Sequence, residues 1–346
     1  MYDVLMEELI LHSRFHHLGV GLSEISSPIG ISNPIEIAYN TEVAQLMGLP
    51  SAECLSEKLL SIFSGNDVVK GSTPVAQSYA GHQFGNFNPF LGDGRSVLLG
   101  EVDLENQQWD ISLKGSGKTP FTFSSDGRAS VSECMSEYEM SEKLNSLAVP
   151  VTRCLSVIQA DEQVYRSGFE PVAVLAKMTP SNIRFGSFEN CYFRKDIDAL
   201  KRLADYVIEN HFQECLGSAE GNQKGGNDYA QFFHQVVIRT AKLIAQWQKV
   251  GFVHGMMNTD NQSIVGVTMD LGDSVLLDAS LDEFADEFVA SRSDRKGRYA
   301  YGQQPQVGLW NCNVLAKALS PIISAKDLKA ALMNYETAFI EAFEKG

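Results

Sequence analysis

The sequence lacks any close pairing of cysteines. Its six cysteines stand far apart, and no C-x-x-C pair occurs among positions 54, 134, 154, 191, 215 and 312. Structural zinc sites and disulfide-rich secreted domains usually need such short spacings. The cysteine pattern therefore predicts neither a zinc site nor a disulfide framework, and it favours a reducing compartment.

Long apolar runs are also missing. No segment approaches the roughly 18 uncharged apolar residues needed to span a bilayer. Residues 1–30 have early acidic residues and no apolar core followed by a small-residue cleavage site, and they are not arginine-rich as a transit peptide would be. We therefore expect a soluble, cytoplasmic protein without a membrane partner.

Basic residues are the third shortage. The 346 residues include 28 Lys and Arg against 43 Asp and Glu, which gives a formal net charge of −15. Such a charge repels nucleic-acid backbones and anionic membranes, so we expect no nucleic-acid partner. A small polyanionic ligand would need a local basic pocket. The hydrophobic content of 44% is enough to bury one large core or two modest ones.

One stretch looks at first like a nucleotide-binding loop. SLKGSGKTPF, residues 112–121, contains the GKT that ends the signature G-x-x-x-x-G-K-[ST]. Five positions before Gly117 the sequence has Ser112 where a glycine is required, and Pro120 stands where the first turn of a helix should continue. The Walker interpretation therefore fails on both sides. The stretch still ends a strand-like run, WDISLK, whose last residue is Lys114.

The first half of the chain has strand-like periodicity. Segments 96–104 and 109–114 predict an antiparallel hairpin, 132–148 predicts a helix, and 164–169 and 171–178 predict further strands. These elements indicate a sheet with an accompanying helix.

The second half has helical periodicity. Segments 195–212 and 229–250 predict two helices, and Gly251 is expected to end the second. The buried face of that second helix is predicted to hold Phe233, Val236, Val237, Leu243, Ile244 and Trp247. We therefore predict an α+β fold in which a strand-rich half and a helical half meet near residue 177.

The order of three weak signals in the first half indicates phosphate binding. GDGR, residues 92–95, is a small-residue loop that would let backbone N–H groups approach a phosphate. Lys114 then ends a strand, and Glu137 follows 23 residues later on the predicted helix. Protein kinases have this order, and in them the glutamate orients a phosphate-binding lysine.

The second half supplies oxygen ligands. HGMMNTDN, residues 254–261, follows the long helix, and Asp270 lies in an Asp-Leu-Gly triplet close to the kinase Asp-Phe-Gly. We expect SIVGV, residues 263–267, to be a short strand joining the two loops. Asn261 and Asp270 carry hard oxygen atoms suited to Mg²⁺, with Mn²⁺ as the alternative. The kinase H-R-D-x-x-x-x-N spacing is absent, because Asp260 and Asn261 are adjacent.

These and further segments together resemble the selenoprotein O family. The resemblance runs from about residue 25 to the end of the chain and is carried by YAGHQFGNF (79–87), LGDGRSVLLGE (91–101), WDISLKGSGKTPF (109–121), SNIRFGSFE (181–189), GFVHGMMNTDNQSI (251–264) and GRYAYGQQP (297–305). It implies a protein-kinase-like two-lobed fold, with a strand-rich N-lobe at 1–176 and a helical C-lobe at 177–346. It also implies a protein adenylyltransferase, which moves AMP from ATP to Ser, Thr or Tyr hydroxyls of protein substrates.

The resemblance implies a role for each matching residue. Asp260 corresponds to the proton acceptor, Lys114 and Glu137 to the catalytic ion pair, and Asn261 and Asp270 to the metal ligands. Contacts with the nucleotide are implied for Gly92, Gly94, Arg95, Lys114, Asp126, Gly127, Lys177, Arg184 and Asp270. The GSGKTP segment is then only the loop that follows the strand lysine.

Three departures from the family pattern leave alternatives open. Position 177, an arginine in the family, is Lys177, and the segment 123–137 lacks several family arginines. The chain also stops at Gly346, before family members usually end, without their selenocysteine or cysteine pair. A phosphotransferase that moves the γ-phosphate is one alternative. A nucleotide-binding regulatory module without turnover is the other.

Overall fold

The computed structural model describes residues 9–49, 54–105, 107–217, 226–278 and 285–345. They form a mixed α/β structure that divides into two compact units. The first, called the sheet unit, comprises Met1–Ser78, Leu91–Lys143 and Thr152–Asn182. The second, called the helical unit, comprises Tyr79–Phe90, Leu144–Val151 and Ile183–Gly346. The division into 1–176 and 177–346 stays a prediction.

A large antiparallel sheet dominates the strands of the described chain. Its strands are β1 (Ser23–Ile25), β2 (Ile35–Tyr39), β3 (Val75–Gln83), β4 (Asn86–Gly92), β5 (Ser96–Leu104), β6 (Gln107–Lys114), β7 (Ala129–Ser130), β8 (Arg153–Tyr165) and β9 (Phe169–Thr179). Their order is β1-β3-β5-β6-β9-β8-β2, with β4 beside β3 and β7 beside β9. The predicted antiparallel hairpin of β5 and β6 is confirmed.

The sheet unit buries both faces of its central strands. Helices α1 (Thr41–Leu46) and α2 (Glu57–Phe63) cover one face, where Leu113 lies in the larger apolar core. Helix α3 (Val131–Ser146) covers the other face, where Leu175 packs in a smaller cluster with Cys134. Successive side chains of a strand point to opposite faces. This alternation places Lys114, next to Leu113, on the α3 face.

One strand prediction in this sheet was right only in part. The segment 164–169 was expected to be one strand, but its two ends belong to β8 and β9. Residues 166–168 form the turn between them, in which Arg166 N–H donates to the carbonyl of Gly168 at 2.8 Å. The strand before the turn begins at Arg153, much earlier than expected. Polar residues at 159, 161, 162 and 163 concealed the strand, because its outer end is partly exposed and lacks a strict apolar alternation.

The helical unit is built around one long helix. Its helices are α4 (Phe185–Phe193), α5 (Ile197–His211), α6 (Gly226–Val250), α7 (Gln304–Leu319), α8 (Ala325–Leu332) and α9 (Tyr335–Lys345). All six side chains predicted for the buried face of α6 are buried, which confirms that prediction. Gly251 follows α6 with φ of 72°, a left-handed conformation that ends a helix readily when the residue is glycine.

The segment after α6 forms loops with little strand structure. Strands β10 (Phe252–Val253) and β11 (Val275–Leu276) pair with each other. The predicted strand at 263–267 is wrong, because no single neighbouring strand pairs with it along its length. The N–H of Ile264 donates to the carbonyl of Ile183, whereas the N–H of Thr268 donates to the carbonyl of Pro150. Only isolated bridges result. Among the described residues, no helix combines the length and apolar character needed to cross a bilayer.

Thr268 fastens this loop region to α6. Its hydroxyl accepts from the Trp247 indole N–H at 2.9 Å and donates to the Pro150 carbonyl at 2.8 Å. Thr268 and Trp247 are both buried. Losing the hydroxyl would therefore leave a buried donor without its partner.

We expect Thr268→Val to lower the free energy of unfolding by about 2 kcal/mol. Thr268→Ser keeps the hydroxyl and should lose no more than about 1 kcal/mol, mainly from the missing methyl group. Urea denaturation followed by tryptophan fluorescence measures both values. Equal losses in the two variants would show that the hydroxyl does not fasten the loop.

Candidate active site

Two lysines share one buried carboxylate in the sheet unit. Lys114, the last residue of β6, donates to Glu137 Oε2, and Lys177 of β9 donates to Glu137 Oε1 at 3.1 Å. The predicted pairing of Lys114 with Glu137 is therefore present. Lys177 was assigned only a nucleotide contact from the sequence. Its link to Glu137 follows from the register of β6 and β9, in which Ser112 lies opposite Lys177. Ser112 and Lys114 lie on the same face of β6, so both lysines face α3.

The two ammonium groups determine the charge state of Glu137. Burial alone would raise the pKa of this carboxyl, but Lys114 and Lys177 overcome that effect and lower the pKa to about 2. Helix α3 holds Glu137 in place through a reciprocal cap at its start, where Ser130 N–H donates to Glu133 Oε2 at 2.9 Å and Glu133 N–H donates to Ser130 Oγ at 3.3 Å. The result is a preformed cationic cluster on a rigid support.

The glycine loop at 92–95 is braced by the segment that resembled a Walker motif. Thr119 Oγ1 donates to the carbonyl of Asp93 at 2.6 Å, and Thr122 Oγ1 donates to the carbonyl of Gly94. A Cβ on Gly92 would lie 2.3 Å from the Phe121 ring, so only glycine fits there without a shift. The TPFT segment therefore shapes the glycine loop, which the sequence did not reveal.

The predicted contacts at 126 and 127 belong to a neighbouring network. Asp126 is exposed and pairs with Arg166, the Nη1 to Oδ2 distance being 3.1 Å. Arg166 also reaches Glu133, which accepts from Arg95 Nη1 at 2.9 Å. Gly127 has φ of 75°, and a Cβ there would collide with the backbone of Gly117 at 2.3 Å. These contacts lock the two glycine-containing loops together.

The two carboxylate oxygens of Asp260, in the helical unit, have different surroundings. Its Oδ2 accepts from Gln83 Nε2 at 3.1 Å, while its Oδ1 is buried and has no hydrogen-bond partner among the described residues. Burial raises the pKa of this carboxyl to about 6. Gly81 makes the close approach possible, since a Cβ there would lie 2.6 Å from Oδ1. An unsatisfied buried acceptor is unusual and marks a place for a donor or a cation.

Arg184 supports the backbone of the same loop. Its Nη1 donates to the carbonyl of Asp260 at 3.0 Å, and its guanidinium lies over the Tyr79 ring at 4.3 Å from the centroid. The next residue, Phe185, donates its N–H to the carbonyl of Gln262 at 2.9 Å. The start of α4 is thereby tied to the 259–262 turn on both sides of Asp260.

His254 joins the loop of Asp260 to the loop of Asp270. Its Nε2 lies 2.9 Å from the Met269 carbonyl, and its Nδ1 accepts from the Met256 N–H at 3.3 Å. A donor at Nε2 and an acceptor at Nδ1 describe a neutral ring, in agreement with burial, which lowers the pKa of His254. This histidine begins the motif HGMMNTDN, but the motif predicted no role for it.

The predicted metal ligands suit a hard cation. Asn261 donates its Nδ2 to the Met256 carbonyl at 3.1 Å, which leaves its amide oxygen as the available acceptor. Asp270 is exposed, with φ of 60°, and its charge contributes to the raised pKa of Asp260. No cluster of three His, Cys, Asp or Glu side chains suited to a metal occurs in the part of the chain that the structure describes. One carboxylate and one amide oxygen would suit an Mg²⁺ ion that draws its other ligands from phosphate and water.

Comparison with known proteins gives the family. The profile of the family described as protein adenylyltransferase SelO matches residues 7–346. The chain belongs to the SelO family. The agreement confirms the resemblance that the sequence motifs indicated.

Named relatives of the SelO family agree over nearly the whole chain. A protein nucleotidyltransferase YdiU of Pseudoalteromonas atlantica is 42% identical over 335 residues, 96% of this chain and 67% of that protein. The YdiU proteins of Vibrio atlanticus and Thiobacillus denitrificans are 45% and 41% identical, over 89% and 98% of this chain and 62% and 67% of their own lengths. The chain thus spans about two thirds of the length of these relatives.

The structure groups the predicted SelO residues within each unit. The sheet unit brings together Lys114, Glu137 and Lys177, whereas Arg95 pairs with Glu133 and Asp126 with Arg166. In the helical unit, Arg184 and Asp260 are in contact. Sequence reasoning missed Gln83, His254, Tyr79, Thr119 and Thr122. Gln83 and Tyr79 lie within the motif YAGHQFGNF, and this motif was the sequence feature that could have indicated them. The functional roles of all these residues stay predictions.

We expect Glu137→Gln to destabilise the protein far more than Lys177→Met. The first change removes the charge that two ammonium groups share and should cost about 3–5 kcal/mol. The second leaves Glu137 paired with Lys114 and should cost less than about 2 kcal/mol. Urea denaturation at neutral pH gives both values. Similar losses of unfolding free energy in the two variants would show that Glu137 does not stabilise both Lys114 and Lys177.

Acid should weaken the wild-type protein partly through Glu137. A glutamate in the unfolded chain titrates near a pKa of about 4.3, whereas Glu137 in the folded protein has a pKa of about 2. Its contribution is therefore complete above the unfolded value and is lost as pH falls through the folded value. Unfolding midpoints measured between about pH 5 and pH 2.5 should fall more steeply in wild type than in Glu137→Gln. Parallel slopes would contradict the lowered pKa.

Proposed function

We propose that this chain is an ATP-dependent protein adenylyltransferase that transfers AMP to Ser, Thr or Tyr hydroxyls of proteins. Membership of the SelO family supports the reaction type, since the family is described as protein adenylyltransferase and the relatives as protein nucleotidyltransferases. The observation that carries the proposal to named residues is Asp260, whose buried Oδ1 is positioned by its neighbours but has no partner among the described residues.

A protein-kinase-like, two-lobed organisation belongs to the same proposal. The antiparallel sheet with its strand lysine and helix glutamate supports an N-lobe, and the helices with the Asp260 and Asp270 loops support a C-lobe. The order of these features along the chain is that of kinases. The adjacent Asp260 and Asn261 depart from the kinase catalytic spacing and favour a related chemistry over ordinary phosphotransfer.

Asp260 would act as proton acceptor in this reaction. The hydroxyl oxygen of the acceptor protein forms a bond to the α-phosphorus of ATP while its proton passes to the carboxylate of Asp260. The bond between the α-phosphorus and the bridging oxygen breaks, and pyrophosphate leaves with the electron pair. Gln83 holds Oδ2, which leaves Oδ1 as the oxygen without a hydrogen-bond partner among the described residues. Arg184 keeps the backbone of Asp260 in place.

The cationic cluster would bind phosphate oxygens. Lys114 and Lys177 present two ammonium groups, and Glu137 orients both of them before any ligand arrives. Such preorganisation lowers the cost of stabilising charge in the transition state. Asn261 and Asp270 would hold Mg²⁺, or Mn²⁺ as the alternative, which neutralises charge on the phosphates when bound. We assign nucleotide contacts also to Gly92, Gly94, Arg95, Asp126, Gly127 and Arg184.

The decisive experiment asks which phosphate is transferred. The protein is incubated with ATP labelled at the α or the γ position, with itself and purified proteins as acceptors, and the products are weighed intact. We expect label from the α position only, with a mass gain of one AMP. Label from the γ position would instead establish a phosphotransferase. ATP binding without transfer of either label would establish a nucleotide-binding regulatory module.

Asp260→Asn should reduce the rate of AMP transfer on the order of 10²–10⁴-fold while leaving ATP binding largely intact, because it removes the proton acceptor but keeps the shape. Lys114→Met should reduce it on the order of 10²-fold and also weaken ATP binding. The exposed Asp198 of α5 provides a matched control, and Asp198→Asn should behave as wild type. Wild-type rates in Asp260→Asn would remove it from the mechanism.

A further inference from the structure

The helical unit contains a second candidate site, a cavity of about 590 Å³. This volume lies in the range of pockets that bind small molecules. None of the residues assigned above to nucleotide or metal lines it. The lining residues are His82, Phe87, Glu189, Tyr192, Phe193, Lys195, Ile197, Val314, Lys317, Ala318 and Pro321.

A buried carboxyl group supplies an acceptor in this cavity. Glu189 is 4% exposed, and its Oε2 lies 2.5 Å from Nδ1 of His82. Its Oε1 is buried and has no hydrogen-bond partner among the described residues. A buried acceptor without a partner costs free energy, and native structures rarely leave one unless a water or ligand satisfies it. Glu189 places a carboxylate in the wall of this cavity, which suits a ligand with an N–H or O–H donor.

Aromatic rings form part of the cavity wall. The His82 ring lies 5.1 Å from the Phe87 ring, and the Phe87 ring lies 5.3 Å from that of Phe193. Trp310 meets His82 edge-on at 5.4 Å and so fixes the imidazole orientation. Ring centroids at these distances are typical of stabilising aromatic pairs. A flat apolar group would extend this set of contacts.

Two exposed lysines also line the cavity. Lys195 follows the end of α4, and Lys317 lies in the last turn of α7. Their ammonium groups stand out against a chain whose net charge is −15. A ligand with an acidic group would gain from them, whereas a purely cationic ligand would be repelled.

We propose that this cavity binds a small aromatic molecule that carries both a hydrogen-bond-donating nitrogen and an acidic group, as an aromatic amino acid does. The nitrogen donates to the Glu189 carboxylate, the ring packs with Phe87 and Phe193, and the acidic group interacts with Lys195 or Lys317. This binding is separate from AMP transfer, so it can be tested without any assay of catalysis.

The test compares three probes by calorimetry on the full chain. L-phenylalanine has both groups, phenethylamine has only the donor, and phenylacetate has only the acid. L-phenylalanine should bind most tightly. Glu189→Gln should lower the affinity for L-phenylalanine and phenethylamine by roughly 10-fold or more. It should change the affinity for phenylacetate little. Lys317→Met should weaken the binding of L-phenylalanine and phenylacetate. It should not weaken the binding of phenethylamine, because it removes a charge that repels this cation.

Two further variants separate specific binding from general effects. Val314→Trp fills the cavity from a half-buried wall position and should abolish binding of all three probes. Lys329→Met replaces an exposed lysine of α8 outside the cavity and should match wild type. Circular dichroism and thermal unfolding establish that each variant is folded. The proposal would be overturned if no probe bound wild type with a Kd below about 10 mM, or if the probes bound Val314→Trp equally well. A crystal structure grown with L-phenylalanine that shows only water beside the Glu189 carboxylate would also overturn it.

Discussion

A single carboxylate pairs with two ammonium groups in the interior of the sheet unit. Burying a lysine without a partner is costly, so Lys114 and Lys177 can lie on the covered face of the sheet only because Glu137 meets both. That requirement constrains the elements around it: β6 and β9 must keep their register, and α3 must start at its Ser130–Glu133 cap. Strand register, the helix cap and the two ion pairs therefore position these three charged side chains together.

The helical unit holds irregular backbone in its interior. The loops that carry Asp260 and Asp270 have few strand partners, and their polar groups are satisfied by Arg184, His254 and Thr268. Buried backbone must be paired somewhere, and side chains do this work where a sheet does not continue. Oδ1 of Asp260 is buried in this region without a hydrogen-bond partner among the described residues. Such an exception is expected at a functional site.

Family membership and local geometry contribute different kinds of information. The match over residues 7–346 places the chain in the SelO family, and the relatives share 41–45% identity across it. The geometry adds what a family description does not contain. Lys177 pairs with Glu137. Thr119 and Thr122 hold the glycine loop, which explains a stretch that first resembled a Walker motif. The ordering of motifs and the contacts between them support the same proposal independently.

The sequence alone determined the elements with strong periodicity, such as the hairpin of β5 and β6 and the buried face of α6, because alternation and helical spacing are local properties. It also determined the order of the motifs. Only the tertiary structure decided that Lys177 joins Lys114 at Glu137, that Ser263 forms an isolated bridge, and that Glu189 meets His82. These contacts depend on strand register and on partners at least 40 residues away. No local pattern encodes which distant group will satisfy a buried charge.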